Sequence, residues 1–294
     1  MPSNDFAQLP RKKLGRPSLL TETQISDIVT SYLTHTAKEP ALKHNCSAWN
    51  IKRIWAKHSA KGKSRRKYLL DLNYFEVIDS PGKAYFLGFI AADGCVRKPQ
   101  RGPLALSIRV SSKDEQILFD LLRCMKSNNA VFRASYTTPR KKVVKEASYV
   151  TLISAKLCAD LARHNVCERK TRGYEPVPLP DPLMPHFIRG YFDGDGTVYK
   201  IGATSGECPS HYRFAICVNE RTGRFFQCYL GRNGINCTLI NDKASSIFQL
   251  RISDNVSKQR FVTLIYEASK GLFLVRKKQR ADEFMSSCMR QERG

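Results

Sequence analysis

The sequence predicts an α+β protein: two pseudo-symmetric halves of αββαββα order, preceded by a small all-α module. Three observations carry this. One 14-residue stretch occurs twice, as Lys83-Ala-Tyr-Phe-Leu-Gly-Phe-Ile-Ala-Ala-Asp-Gly-Cys-Val96 and Pro185-His-Phe-Ile-Arg-Gly-Tyr-Phe-Asp-Gly-Asp-Gly-Thr-Val198. The same succession of strand and helix signals follows each copy. The first 60 or so residues carry helical signals and basic clusters instead.

Shifted by 102 positions, Gly88 falls on Gly190, Asp93 on Asp195, Gly94 on Gly196 and Val96 on Val198. Tyr85, Phe86, Phe89 and Ile90 match Phe187, Ile188, Tyr191 and Phe192, apolar at i, i+1, i+4 and i+5, which is one face of a helix. Gly88 and Ala92, and Gly190 and Gly194, lie four apart on a different, bare face. Glycine within a helix costs roughly 0.5–1 kcal/mol relative to alanine. Close packing of the two helices through these faces accounts for that cost, and it makes Asp93 and Asp195 neighbours.

The N-terminal module spans residues 1–58. A basic arm, Arg11-Lys-Lys-Leu-Gly-Arg-Pro17, has the composition of a segment that lies in a minor groove, with Arg16 as its reader. Thr21 and Gln24 form a capping-box pattern that opens a helix to about Leu33. A second helix is expected from about Thr36 to His44, with Pro40 placed early in it. After a turn through Asn45 and Cys46, Ser47 caps a third helix. There Ile51, Ile54 and Trp55 face the core, and Asn50, Lys52, Arg53 and Lys57 face outward. Helix, helix, tight turn, basic helix is helix-turn-helix order. Arm and helices together resemble the DNA-binding domains of the DNA invertase and resolvase family. Residues 59–67, with five cations in nine positions, read as a basic linker that can follow a phosphate backbone.

The first half covers 68–173. Leu104 to Val110 alternates as a strand with Arg109 opposite Ile108. Asp114 to about Met125 is a helix, Ala130–Tyr136 and Ser148–Ser154 are a strand pair around the basic loop 139–142, and a helix over about Ala155–His164 leads to Arg169-Lys170. Residues 174–182, rich in proline, form a stiff connector. The second half, 183–294, repeats the order: strand Tyr212–Val218, helix Gly223 to about Leu230, strands Cys237–Asn241 and Ile247–Ser253, helix about Lys258–Ser269, then Arg276-Lys277 and a last helix over about Lys278–Met289.

Charge restricts the partners. Lys plus Arg number 49 against 26 Asp plus Glu, a net +23, and such an excess persists where a polyanion neutralises it. No run of about 18 apolar residues is present, so no membrane span is expected; the N-terminus lacks the apolar core of a signal peptide. The ten cysteines include no C-x-x-C, and they read as reduced structural thiols in a cytoplasmic or nucleoid-like compartment.

At this point the residues carry a family resemblance. The two motifs, about 100 residues apart with matching flanks, resemble those of the LAGLIDADG homing endonucleases in their single-chain, two-motif form. The resemblance covers about 220 residues. It implies that the motif helices join two halves whose four-stranded sheets saddle double-stranded DNA. It also implies that Asp93 and Asp195, with the carbonyls of Ala92 and Gly194, bind Mg2+ or another divalent cation such as Mn2+. Lys170 and Lys277 would be the basic residues beside the metal. Two departures stand out. The first motif has Ala91 where the family often has an earlier Asp, kept here as Asp193. Ser112 and Glu220 occupy the position that often orients water through a glutamine.

The residue chemistry agrees. Carboxylates at helix C-termini are disfavoured by the dipole by roughly 0.3–1 kcal/mol. A hard cation offsets that penalty and binds phosphate oxygens as well. Lys170 and Lys277 can then stabilise charge on the phosphate. Outward strand positions offer Arg97, Lys98, Arg109, Arg133, Tyr199, Lys200, Arg213, Gln249 and Arg251 to the major groove. The expected function is a metal-dependent, homing-type DNA endonuclease that acts as a monomer on a long asymmetric target, without membrane association. Met1 and the Arg-Gly294 end offer no splice-junction residues, so a free-standing chain is expected. The alternative is a non-cleaving nucleic-acid binder of the same fold, an intron maturase or a transcriptional regulator.

Overall fold

The computed structural model describes residues 20–31, 37–58, 68–98, 102–137, 143–170, 173–201, 211–241 and 247–291. They belong to two compact units, Met1–Lys67 and Tyr68–Gly294. The arm with Arg16, the linker 59–67 and the loop 139–142 lie outside the described residues.

The N-terminal unit contains α1 (Glu22–Thr30), α2 (Lys38–Lys43) and α3 (Ala48–His58). The capping box forms as the sequence indicates: Gln24 N donates to Thr21 Oγ1 at 3.3 Å, and Thr21 N donates to Gln24 Oε1 at 2.9 Å. Pro40 stands in the first turn of α2 and is buried; a missing N–H costs nothing there. The turn before α3 manages without glycine because Asn45 adopts φ 46°, a left-handed conformation that asparagine tolerates. Ile28, Ala37, Ala41, Ile51 and Trp55 form a small core, and the Trp55 indole donates to Ile28 O.

In the second unit the first half runs α4 (Pro81–Asp93), β1 (Gly94–Arg97), β2 (Ala105–Ser111), α5 (Gln116–Cys124), β3 (Phe132–Thr137), β4 (Val144–Ile153) and α6 (Ala155–Ala162). The other half runs α7 (Met184–Asp195), β5 (Gly196–Ile201), β6 (His211–Val218), α8 (Glu220–Arg232), β7 (Cys237–Asn241), β8 (Phe248–Ile252) and α9 (Asn255–Tyr266), followed by α10 (Val275–Gln291). Each half is αββαββα. The sheets have order β1-β2-β4-β3 and β5-β6-β8-β7, all antiparallel.

Some boundaries move for physical reasons. β4 starts at Val144, not Ser148, because its first three residues continue the ladder with β3 while exposed, where apolar alternation gives no signal. α8 and α9 begin three residues early. Asn219 and Asp254 cap them by accepting from Thr222 N and Ser257 N.

One face of each sheet packs on helices. Ile108, Val110, Val150 and Leu152 in the first sheet and Phe214, Ile216, Leu250 and Ile252 in the second enter one continuous core with α4 and α7. The opposite faces remain open. Among the described residues no helix is long and apolar enough to cross a membrane, and every cysteine is a free thiol.

Candidate nucleic-acid cleavage site

The pairing of α4 with α7 depends on its two central glycines. A Cβ built on Gly88 would lie 2.0 Å from Phe187 O, and one on Gly190 would lie 1.9 Å from Tyr85 O. These are backbone oxygens that cannot swing aside, so only glycine permits this approach. Further along, a Cβ on Gly194 would meet the Ala92 methyl at 2.4 Å and the Asp93 carboxyl carbon at 3.5 Å. All four residues of the expected interface are at the crossing, and it brings the C-terminal ends of both helices, with Asp93 and Asp195, to one place.

There the electrostatics are unusual. Burial, followed by the charge of Asp195, pushes the Asp93 carboxyl up to about 6, and burial raises Asp195 as well. By area Asp93 is nonetheless exposed: protein crowds it on most sides while its tip opens into a cleft that also touches Arg109, Ser112, Lys113, Asp114 and Arg276. Among the described residues neither Asp93 nor Asp195 has a hydrogen-bond or ion-pair partner.

The lysines explain this. Lys170 Nζ donates to Ala92 O at 3.0 Å. Lys277 Nζ donates to Phe192 O at 2.8 Å, Asp193 O at 2.6 Å and Gly194 O at 3.2 Å. Each ammonium is buried and binds carbonyls in the last turn of its motif helix. It thereby neutralises the negative end of the dipole and leaves both carboxylates without an ion-pair partner among the described residues, with Asp93 facing the cleft. Desolvation lowers both lysines, Lys277 to about 8. Of the two, Lys277 is the more fully engaged.

Asp193 is not part of the open pair. It is fully buried, and its Oδ2 accepts from the Tyr85 hydroxyl at 2.8 Å and from Leu274 N at 2.9 Å. Burial raises it to about 6. Tyr85 belongs to the first half, so Asp193 ties the halves together, a role with no counterpart at Ala91. Beside it Arg189, 1% exposed, donates to Leu272 O, Ile265 O and His186 Nδ1 and lies over the Tyr85 ring at 5.0 Å. Sequence reading missed Arg189 and Tyr85, although an arginine inside an apolar helix face was the available signal. It also missed Arg276 Nε, which donates to both oxygens of Asp114 at 2.9 Å across the halves.

The profile of the LAGLIDADG-like domain matches residues 81–164 and 184–266, more than half of the chain. The chain belongs to the LAGLIDADG family. Among solved structures it is similar to a lysine-to-alanine variant of I-SmaMI, at 12% identity and TM-score 0.51, over 73% of this chain and 92% of that one. It is equally similar to the LAGLIDADG meganuclease I-AabMI bound to uncleaved DNA, at 13% identity and TM-score 0.50 over the same shares. These likenesses establish the fold. No curated protein sequence matches.

On the LAGLIDADG frame the strand candidates divide. Arg97, Arg109, Tyr199, Arg213, Gln249 and Arg251 stand on the open sheet faces. Arg213 lies over the Tyr199 ring at 5.7 Å and donates to its hydroxyl at 3.0 Å, and Arg251 donates to Gln249 Oε1. Lys98 and Lys200 are exposed at strand ends, on the side of Val96 and Val198. Arg133 departs from expectation. It points to the helix side, where it and Ser148 bind Glu115 at the foot of α5. Alternation was misread there because β3 is almost wholly exposed, so burial gave no phase. Ser112 follows β2, while Glu220 is exposed and paired with Arg224. In the N-terminal unit Lys52 and Arg53 are exposed and Asn50 is half-buried. Trp49, which the sequence did not single out, is 66% exposed with Arg53 over its ring at 5.3 Å.

Proposed function

We propose that this LAGLIDADG chain is a homing-type DNA endonuclease that hydrolyses both strands of a long asymmetric duplex with a divalent cation, acting as a monomer. The observation that supports this most directly is the pair of carboxylates, Asp93 and Asp195, without a hydrogen-bond or ion-pair partner among the described residues, at the crossing of two helices whose end carbonyls are already held by lysines. A protein that only bound nucleic acid would gain nothing from two unpaired anions facing phosphate.

The donor set suits a hard cation. Among the described residues no group of three or more His, Cys, Asp or Glu side chains could hold a metal. The two carboxylates would supply protein oxygens, with the carbonyl lone pairs of Ala92 and Gly194 beside them, and phosphate and water would complete the shell. Bound there, a cation such as Mg2+ or Mn2+ would activate water and relieve charge on the departing oxygen. The chain's own contribution is positional. Gly88 and Gly190 set the closeness of the carboxylates, Lys170 and Lys277 hold the helix ends and place positive charge near the phosphate, and Asp193 with Tyr85 fixes one half against the other.

DNA affinity is assigned to the open sheet faces and, as a second contact, to the N-terminal unit, whose α3 presents Lys52, Arg53 and Lys57 and contains no acidic residue. The meganuclease neighbour I-AabMI, similar to this chain in fold, is itself bound to uncleaved DNA. The test is incubation with a randomised duplex library and Mg2+, followed by sequencing of cut ends. A recurrent pair of cut positions in one enriched sequence supports the reading. Retention of a specific duplex without cutting in Mg2+ or Mn2+ identifies a non-cleaving binder of the maturase or regulator type.

A further inference from the structure

The register of the two sheets places one row of side chains beside each motif aspartate, and the two rows differ in chemistry. In the first sheet Gly94 pairs with Ile108, so the position beside Asp93 is Arg109; Arg109 pairs with Tyr149, and Tyr149 with Phe132. These three side chains form a connected ridge on the open face. The Arg109 guanidinium lies over the Tyr149 ring at 5.5 Å, and the Tyr149 and Phe132 rings stack at 5.7 Å. Phe132 remains 49% exposed. The flanking rows are low, Ser107–Thr151 on one side and Ser111–Ala147–Ala134 on the other, so the ridge stands above them. In the second sheet Gly196 pairs with Ile216, and the matching row is Cys217–Gln249–Ile240. None of these three residues is a cation; Arg251, one row away opposite Ala215, has its guanidinium tied up in hydrogen bonds to Gln249 Oε1.

We infer that the Arg109–Tyr149–Phe132 ridge reads a guanine flanked by thymine in the half-site next to the cleavage centre, and that the second half makes no such demand at the matching place. The inference rests on the DNA-cleaving function proposed above. An arginine held over an aromatic ring keeps donors free and loses little freedom on binding, which suits the paired acceptors N7 and O6 of guanine. Among the described residues no carboxylate pairs with Arg109, so its donors are open. Exposed rings beside it match the C5 methyl of thymine, the one apolar group on a major-groove edge. Three strands at roughly 5 Å spacing span about 10 Å, the length of roughly three base-pair steps. The ridge therefore has the reach of a short base triplet.

The test alters the DNA and leaves the protein intact. In a duplex selected for cutting by the wild-type chain, guanines in the inner part of each half-site are replaced singly by 7-deazaguanine and thymines by uracil. The predicted result is a one-sided effect: in one half-site 7-deazaguanine weakens binding by roughly tenfold and uracil by about fourfold, the worth of one methyl group. The matching positions of the other half-site tolerate both changes. Arg109→Met should erase the 7-deazaguanine effect, and Phe132→Ser the uracil effect. Equal sensitivity in both half-sites, or indifference in both while the duplex is still cut, overturns the inference and leaves the endonuclease reading standing. Failure of the wild-type chain to select any duplex overturns both.

Discussion

The Tyr85 hydroxyl donates to the Asp193 carboxylate at 2.8 Å, from the first motif helix to the second, inside a fully buried layer. This bond breaks the symmetry of the duplication, since Ala91 stands opposite. Tyr85→Phe keeps the ring that Arg189 covers and removes the donor. The expected loss is about 1–3 kcal/mol, the cost of a buried acceptor losing a partner, seen as a lower denaturant midpoint at unchanged slope. A midpoint equal to wild type would mean that Asp193 is satisfied without Tyr85.

Gly88→Ala and Gly190→Ala should be far more damaging than an ordinary glycine-to-alanine change in a helix, which is stabilising where space allows. Their added methyls would meet Phe187 O and Tyr85 O at 2.0 and 1.9 Å, and two backbones would have to separate. Destabilisation by more than about 1–3 kcal/mol is expected from such overpacking, together with loss of divalent-ion binding as Asp93 and Asp195 move apart. Thermal unfolding with and without Mg2+ measures both. By contrast Gly231, with nothing within 4 Å of its added Cβ, should accept alanine.

The raised Asp93 carboxyl sets a pH dependence. A carboxyl lifted to about 6 from its usual 3.8 begins to penalise the fold as soon as it ionises in the unfolded chain. The penalty is absent below the lower value and complete above the upper one. A cation that binds the carboxylates offsets it only where they are ionised. At about pH 7.5, Mg2+ at roughly a hundred times its Kd should add about 2.7 kcal/mol, a rise in Tm of roughly 5–10 °C. At about pH 4.5 it should add almost nothing. Asp93→Asn should raise the Tm of the metal-free chain at the higher pH and abolish most of the response to Mg2+. A response of equal size at both pH values would place the ion elsewhere.

Most of the frame was legible in the sequence because its signals are local or repeated. The 102-residue shift fixed both motif helices and made Asp93 and Asp195 partners. The bare Gly88 and Gly190 faces announced the crossing, and Lys170 and Lys277 followed from their matched places at the ends of the halves. What escaped was set by tertiary packing. Nothing local says that Lys277 caps three carbonyls, that Arg276 reaches Asp114, or that Tyr85 meets Asp193. Arg133 was misplaced because a strand exposed on both faces has no apolar phase to read.

Removing residues 1–67, a compact unit distinct from the rest, should weaken DNA affinity and make the dependence of log Kd on log salt shallower by about 0.9 for each phosphate that is no longer neutralised. Cutting should survive, because every residue of the proposed cleavage centre lies beyond Tyr68. Binding titrations at several salt concentrations check this, and identical slopes for the full and shortened chains would remove the N-terminal unit from the DNA interface.

The central claim is that Asp93 and Asp195 form a cation-dependent centre for phosphodiester hydrolysis. Its most direct test is single-turnover cutting of a selected duplex in Mg2+ by the wild-type chain, Asp93→Asn and Asp195→Asn, with binding of each measured in parallel. The account predicts that the wild type cuts both strands, and that each variant still binds the duplex but loses double-strand cutting by at least roughly a hundredfold. Cutting at the wild-type rate by either variant, at equal binding, would contradict it.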